Sequence, residues 1–174
     1  SLVGSEMCIR DRYRLSAVAD GLTDFKFREL NVEGKLIPTR DHWEYYPVYY
    51  VEPMDTNLAV LGYDLATSPE RMATLQKARQ SRQMQATSSI ALIQNSPEQK
   101  GFLIFQPIFL PNRKQPGSNQ EKFNGFAVGV FRIGDLFESA TSPIKTLLDP
   151  LILKIIDITD LSNTELLYSL NSSA

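Results

Sequence analysis

The stretch N-G-F-A-V-G-V-F-R-I-G-D-L-F, residues 124–137, decides the fold of this chain. Its first part, residues 125–133, is almost wholly apolar and rich in Val and Phe, which predicts a strand buried on both faces. Gly125 and Gly129 remove side chains from that strand, as at a bulge or where a ligand or another backbone approaches closely. An amphipathic helix is expected to start around Asp135. A central strand that leads directly into a helix favours a ligand-sensing domain whose output lies elsewhere.

Length and composition indicate one globular domain. The chain has 174 residues, of which 43% are hydrophobic and 22% charged, as is typical of a soluble protein with an ordinary core. The net charge of -2 gives no electrostatic reason to expect nucleic acid or an anionic membrane as a partner. No apolar run approaches the length of a transmembrane helix.

Residues 1–12, S-L-V-G-S-E-M-C-I-R-D-R, resemble a translated sequencing adapter, and we set them aside as a scar. They include Cys8, the single cysteine of the chain. The remaining sequence therefore has none, which excludes disulfides, cysteine-ligated metals and thiol nucleophiles there. On this interpretation the native N-terminus is missing, so a signal peptide or a membrane anchor in the parent protein stays open.

The first half of the chain predicts short elements around an aromatic segment. Residues 13–23 are typical of the end of a helix, and residues 25–30 and 36–38 of two short strands. Residues 45–51, Y-Y-P-V-Y-Y-V, predict a strand or extended segment that Pro47 confines to a sheet edge or a bulge. The tyrosines of this segment, Tyr46 among them, either line a pocket or cover an edge of the core, and the residues alone leave both open.

The second half predicts a capped helix followed by long strands. Thr67-Ser68-Pro69-Glu70 is a strong helix start, and Arg71 lies in the first turn. The first two strands after this helix are expected to pair as an antiparallel hairpin. The order favours the α+β class, with helices on one side of a curled antiparallel sheet that encloses a small cavity. The predicted elements are a helix at 69–82, strands at 85–94, 101–110 and 125–133, a helix at 134–148, and closing strands at 151–158 and 166–168.

Residues that would indicate an enzyme are scarce. His42, the one histidine, cannot form a two-histidine metal site or leave a second base for a catalytic triad. No glycine-rich nucleotide-binding motif follows a strand. Glu44 and Asp55 are a carboxylate pair of the kind that hydrolases use, but most chains of this length contain such pairs. We therefore expect no enzymatic activity, no metal and no cofactor in this fragment.

Four segments together resemble the CHASE domain, the cyclase- and histidine-kinase-associated sensory extracellular module, in its order and spacing. They are Y-Y-P-V-Y-Y-V-E-P (45–53), L-G-Y-D-L-A-T-S-P-E-R (61–71), G-F-L-I-F-Q-P-I-F (101–109) and N-G-F-A-V-G-V-F-R-I-G-D-L (124–136). D-I-T-D (157–160) before L-L-Y (166–168) resembles the closing strands of the family. The resemblance covers residues 24–169 and leaves 170–174 as a tail.

The resemblance implies a PAS-like fold and a sensory role. Such a domain lies outside the cytoplasmic membrane, between two transmembrane helices that are absent from this fragment. The parent protein would carry a histidine kinase, a diguanylate cyclase or phosphodiesterase, or an adenylate cyclase inside the cell. We expect an unidentified small-molecule ligand, a homodimer, and no nucleic acid as a partner.

The resemblance also implies ligand-binding positions. Plant cytokinin receptors of this family bind adenine-type hormones through an aspartate, and Arg71 occupies the matching position here. Because a guanidinium donates hydrogen bonds and accepts none, this difference argues against cytokinins and favours a ligand with a carboxylate or phosphate. The positions implied to bind the ligand are Arg71, Thr87, Ile93, Phe126 and Gly129, with Tyr46 on the aromatic segment.

Each of these positions has a structural alternative. Arg71 would then pair with Glu70 or Asp64, the Thr87 hydroxyl would bond to the backbone, Phe126 would lie in the core, and Gly129 would admit a closely packed helix. For the whole chain the alternatives are a ligand-free structural or dimerisation module, with Phe102, Phe105 and Phe126 filling the cavity, or a small hydrolase.

Overall fold

The computed structural model describes residues 13–41, 43–91, 100–111, 121–144, 148, 151–158, 161–162 and 164–170. The chain divides into two compact units, Ser1–Ala73 and Thr74–Ala174. Helices and antiparallel strands both occur, which confirms the α+β class. A PAS-like curl with all helices on one face stays a prediction. The predictions for residues 1–12, His42, Ile93 and residues 171–174 of the tail lie outside the described residues. Leu170, which was assigned to the tail, instead ends the strand Glu165–Leu170.

The first unit contains short elements, as the sequence predicts. A helix α1 spans residues 13–19. The strands β1 (Arg28–Leu30) and β2 (Leu36–Pro38) pair as an antiparallel hairpin. Its turn is closed by the Asn31 side chain, whose Oδ1 accepts the backbone N–H groups of Glu33 and Lys35 at 3.0 and 2.8 Å. The remaining elements are the helix α2 (Met54–Asn57), two 3-10 turns (Leu58–Val60 and Leu65–Thr67) and the start of the helix α3 (Pro69–Ser81).

Aromatic side chains build the core of the first unit. Ala17, Phe25 and Phe27 are buried together, with Tyr45 and Tyr49 against them. The ring of Tyr45 lies 5.5 Å from that of Phe27, and the ring of Tyr49 lies 5.4 Å from that of Phe25. These two tyrosines of segment 45–51 therefore cover the core, as the structural alternative predicts.

The second unit is organised by a long antiparallel hairpin. The strand β5 (Lys100–Pro111) pairs with β6 (Glu121–Arg132), and its other edge pairs with the short strands β3 (Gln85–Ala86) and β4 (Ile90–Ala91). The predicted hairpin between segments 85–94 and 101–110 is thereby confirmed over the described residues. The unit continues through the helix α4 (Ile133–Thr141), a 3-10 turn (Ser142–Ile144), β7 (Leu153–Asp157) and β8 (Glu165–Leu170).

Alternation along β5 places its side chains on two faces. Leu103 and Phe105 are buried on one face, with Phe105 fully inaccessible to solvent. Phe105 packs against Phe126 of β6 with ring centres 5.9 Å apart. On the other face, Phe102 and Phe131 stack as a cross-strand pair with centres 5.2 Å apart. Aromatic pairs thus join the two long strands on both faces.

The prediction that the strand at 125–133 is buried on both faces is wrong. Val128 and Val130 of β6 are 37% and 58% exposed. The physical reason is the position of the strand, since within the described residues β6 pairs with β5 alone and forms an edge of the sheet. Composition identified the strand correctly, whereas its burial depends on neighbours that only the topology assigns.

Two further expectations for the second unit need correction. The helix predicted to reach Leu148 ends at Thr141 and passes into a 3-10 turn at Pro143, whose ring and missing N–H oppose continuation of an α-helix. The strands expected to close the main sheet form a separate two-stranded sheet, β7 with β8. Within the described residues these two strands pair with each other and with neither β5 nor β6. None of the described helices combines the length and apolar content needed to cross a bilayer, the longest being α3 with 13 residues.

Candidate functional site

The segment Gly62-Tyr63-Asp64 holds the polar centre of the first unit. It forms backbone hydrogen bonds with β1, where the Arg28 N–H donates to the Gly62 carbonyl and the Asp64 N–H donates to the Arg28 carbonyl, both at 2.8 Å. Gly62 has φ +76°, and a Cβ there would lie 1.9 Å from the carbonyl oxygen of Lys26. Only glycine allows the backbone at residue 62 to approach that of Lys26 so closely. Gly62 therefore sets the position of the Tyr63 and Asp64 side chains.

Asp64 is fully buried and serves the backbone around it. Its Oδ1 accepts the N–H of Tyr46 at 2.8 Å and the N–H of Ala66 at 3.0 Å, the second bond capping the 3-10 turn Leu65–Thr67. The carboxylate thereby ties the aromatic segment to residues 64–66. Tyr46 is half-buried, and its backbone is fixed by this bond, while its predicted contact with a ligand stays a prediction.

Arg71 is buried at the start of α3, with 7% of its surface exposed. Its Nη1 donates to the Tyr63 hydroxyl at 2.5 Å, and its guanidinium lies 5.5 Å from the centre of the same ring. Its Nε is buried without a hydrogen-bond partner. Among the described residues Arg71 forms no ion pair, so the alternative of a pair with Glu70 or Asp64 is not what the structure contains. Burial of a cation with an unused donor costs free energy, and an anion bound beside it would reduce that cost.

Glu29 is a buried charge of the opposite kind, because its partners are all in place. The Thr39 hydroxyl donates to its Oε2 at 3.0 Å, and the Arg40 side chain donates to its Oε1 at 2.7 Å. Burial by itself would raise the pKa of this carboxyl, but the hydrogen bonds from Arg40 and Thr39 outweigh it and hold the pKa below its ordinary value. The Glu29 site is therefore complete without a ligand.

Thr87 lies in the second unit, between β3 and β4, and forms hydrogen bonds with β5 through both its backbone and its side chain. Its N–H donates to the Leu103 carbonyl at 2.9 Å, and the Leu103 N–H donates to its Oγ1 at 3.0 Å. This is the structural alternative for Thr87, a hydroxyl bonded to the backbone. One lone pair of the hydroxyl is used in this way, which leaves its hydrogen to donate.

Thr87 also lines a cleft of about 370 Å³ within the second unit. The cleft is lined by three consecutive hydroxyl residues, by one carboxylate and by apolar side chains. These are Thr87, Ser88 and Ser89, then Asp157, then Phe102, Ile133, Ile156, Ile158 and Leu167. Its size suits a small molecule, but none of the described residues that line it is basic, so they offer an anion no counter-charge.

Phe126 and Gly129 have identifiable packing roles in β6. Phe126 contacts the rings of Phe105 and Phe123, at 5.9 and 5.0 Å between centres, as the core alternative predicts. A Cβ at Gly129 would lie 2.7 Å from the Phe131 ring. Gly129 thus makes room for an aromatic ring and not for a helix. A ligand contact at either position stays a prediction.

Tyr46 and Arg71 are therefore close to each other in the fold. Tyr46 is bonded to Asp64, and Arg71 is bonded to the preceding residue, Tyr63. Thr87, Phe126 and Gly129 lie on the sheet of the second unit, and Ile93 lies outside the described residues. Sequence reasoning missed Tyr63, the partner of Arg71, although the quoted motif G-Y-D contains it. Within the described ranges, no group of three or more His, Cys, Asp or Glu side chains is arranged to hold a metal ion.

A comparison with curated proteins found no match. A family model described as the CHASE domain matches residues 9–168, nearly the whole chain. The match includes the Gly62-Tyr63-Asp64 segment, α3 with Arg71, and both long strands of the second unit. This chain belongs to the CHASE domain family, whose members are sensory extracellular domains of signalling receptors.

Proposed function

We propose that this chain is the extracytoplasmic ligand-sensing domain of a membrane-bound receptor and that it binds an anionic small molecule at Arg71. The observation that carries the proposal is the buried guanidinium, which is 7% exposed and has an Nε without a hydrogen-bond partner. Burying a cation without its counter-charge destabilises a protein, and a ligand carboxylate or phosphate would supply that charge. Membership of a sensory family supports the same conclusion.

The architecture proposed for the parent receptor follows the family. Transmembrane helices flank the domain, the receptor acts as a homodimer, and a histidine kinase, diguanylate cyclase or phosphodiesterase, or adenylate cyclase module lies inside the cell. Ligand binding transmits a signal only if the ligand has different affinities for two conformations of the receptor. An anionic ligand paired with Arg71 would provide such a difference, because the pair changes the net charge at the start of α3.

A thermal-shift screen tests the proposal. Purines, carboxylates and phosphates are added separately to the wild-type chain and to Arg71→Ala. A ligand at 100 times its Kd stabilises the folded state by about 2.7 kcal/mol, which gives a readily measured rise in Tm. We expect an anionic class to raise the Tm of the wild type and not that of the variant. If no class shifts the Tm of the wild type, the sensing role is contradicted.

A dimerisation module is the second candidate, and the exposed edge strand favours it. A long apolar edge strand such as β6 is a template for pairing with another strand. If two copies of β6 pair antiparallel about the Phe126–Ala127 peptide bond, Glu121 of each copy lies opposite Arg132 of the other. Val130→Lys should then shift sedimentation equilibrium toward the monomer, whereas unchanged association would exclude β6 as the interface. This interface is compatible with ligand sensing.

A further inference from the structure

The guanidinium of Arg71 has one edge occupied and one edge unused. Arginine carries five N–H donors in a fixed plane. The Nη1 donor is held by the Tyr63 hydroxyl at 2.5 Å. The Nε–H is buried without a partner, and among the described residues the guanidinium makes its hydrogen bond through Nη1 and not through Nη2. The N–H groups of Nε and Nη2 on this unused edge point in the same direction, as two parallel donors.

We infer that this edge binds a carboxylate group, whose two oxygens accept from Nε and Nη2 of Arg71. The inference rests on the proposed function and specifies its ligand class. The spacing of the two carboxylate oxygens matches the two parallel N–H donors, which makes a bidentate pair. One carboxylate also balances one guanidinium charge, whereas a phosphate dianion would leave a net negative charge in a desolvated site.

Tyr63 is the positioning residue of this site. Its side chain is 3% exposed, and its hydroxyl accepts from Nη1 while its ring lies beside the guanidinium. Its backbone is fixed by the glycine before it and by the pairing of Gly62 and Asp64 with β1. Because Tyr63 holds one end of the planar group, the Nε–Nη2 edge has a defined direction before the ligand arrives. Such preorganisation reduces the entropy that binding would otherwise cost.

The experiment compares matched acids and amides on four proteins. Dissociation constants of benzoate, benzamide, butyrate, butyramide, inorganic phosphate and adenine are measured by calorimetry. The proteins are the wild type, Arg71→Lys, Tyr63→Phe, and Arg14→Lys as a control arginine that is exposed in the same unit. Circular dichroism verifies that each is folded, and Arg71→Met replaces Arg71→Lys if the lysine variant is not.

We expect the wild type to bind a carboxylate at least tenfold more tightly than its amide, since hydrogen bonds to charged groups contribute about this factor or more. Arg71→Lys should lose that preference, because an ammonium group cannot form the bidentate pair of parallel hydrogen bonds with a carboxylate. Tyr63→Phe should bind the carboxylate more weakly yet retain the preference over the amide. A purely structural Tyr63 would lower the Tm and leave the Kd of the folded protein unchanged. Arg14→Lys should match the wild type.

Two results would overturn the inference and leave the proposed function standing. One is tight binding of phosphate and no carboxylate, which would change the ligand class. The other is binding of adenine, or of acid and amide alike, with no effect of Arg71→Lys. Absence of binding by all six probes up to millimolar concentration would contradict the proposed function itself.

Discussion

The two units bury different kinds of side chain. In the described part of the first unit, four polar or charged residues are buried, Glu29, Thr39, Asp64 and Arg71, whereas Thr87 is the one in the second. Both units also bury apolar groups, such as Phe25 and Phe27 in the first and Leu75, Leu103 and Phe105 in the second. An apolar core stabilises a fold in proportion to the area removed from water, but a buried charge is tolerated only with its partners.

Within the first unit, buried charged groups differ in whether the protein supplies their hydrogen-bond partners. Both oxygens of the Glu29 carboxylate accept hydrogen bonds from fixed donors of the protein. The guanidinium of Arg71 has Tyr63 on one donor and none on its Nε. A satisfied buried charge indicates a structural role, and an unsatisfied one indicates a place for something the chain does not contain. The following substitutions separate the two roles.

Truncating the apolar core of the second unit should have the largest effect on stability. Phe105→Ala removes a side chain with no solvent exposure and should lower the free energy of unfolding by about 3–5 kcal/mol. Val130→Ala on the exposed part of β6 is the control and should change it by less than about 0.5 kcal/mol. Urea unfolding measures both. Equal losses at the two positions would contradict the difference in burial between Phe105 of β5 and Val130 of β6.

Removing the Asp64 carboxylate should have the next largest effect. Asp64→Ala leaves the N–H groups of Tyr46 and Ala66 without their acceptor, which should cost about 2–3 kcal/mol of unfolding free energy. Asp135→Ala is the control, since the exposed pair between Asp135 and Arg132 should contribute less than about 1 kcal/mol. If the two substitutions cost the same, Asp64 does not organise the first unit.

The charge of Glu29 should matter in a pH-dependent way. Its pKa is lower in the folded protein than the ordinary value of 4.5, so the ionised form stabilises the fold above that pH. Glu29→Gln should therefore be less stable than the wild type at pH 7 by about 1–2 kcal/mol. The difference should shrink as the pH falls below the ordinary pKa and through the folded one. A difference that is independent of pH would exclude the charge as its cause.

Removing the charge of Arg71 should have the smallest effect on the ligand-free protein. Arg71→Met loses one hydrogen bond to Tyr63 but also removes a desolvated cation, so the unfolding free energy should change by less than about 1 kcal/mol or rise. The variant should at the same time lose its thermal response to carboxylates. A loss of stability as large as that of Asp64→Ala would mean that Arg71 is structural.

Local sequence signals predicted the elements well. The hydroxyl-Pro-Glu start of α3, the long apolar runs of β5 and β6, and the antiparallel pairing of segments 85–94 and 101–110 are visible in residues close together in the chain. Family resemblance and the donor chemistry of its side chain also led to Arg71 as the position at which we propose that the ligand binds.

Features that depend on distant segments could not be predicted. The exposure of Val128 and Val130 depends on which strands occupy the edges of the sheet. The contact between Tyr63 and Arg71 depends on a chain path that Gly62 permits only because the backbone of Lys26 lies against it. The different surroundings of Tyr45 and Tyr49 on the core, of Tyr46 bonded through its backbone, and of the exposed Tyr50 also depend on the chain path. Composition gives no information on such pairings.

We propose above all that the Nε–H of Arg71, which has no acceptor in the protein, donates to a ligand carboxylate. The most direct measurement is the ¹⁵N–¹H side-chain resonance of Arg71, assigned by its loss in Arg71→Lys, during a titration with benzoate. We expect this resonance to move downfield and to saturate with the Kd found by calorimetry. If benzoate binds and the Arg71 resonance stays unchanged, the claim is contradicted.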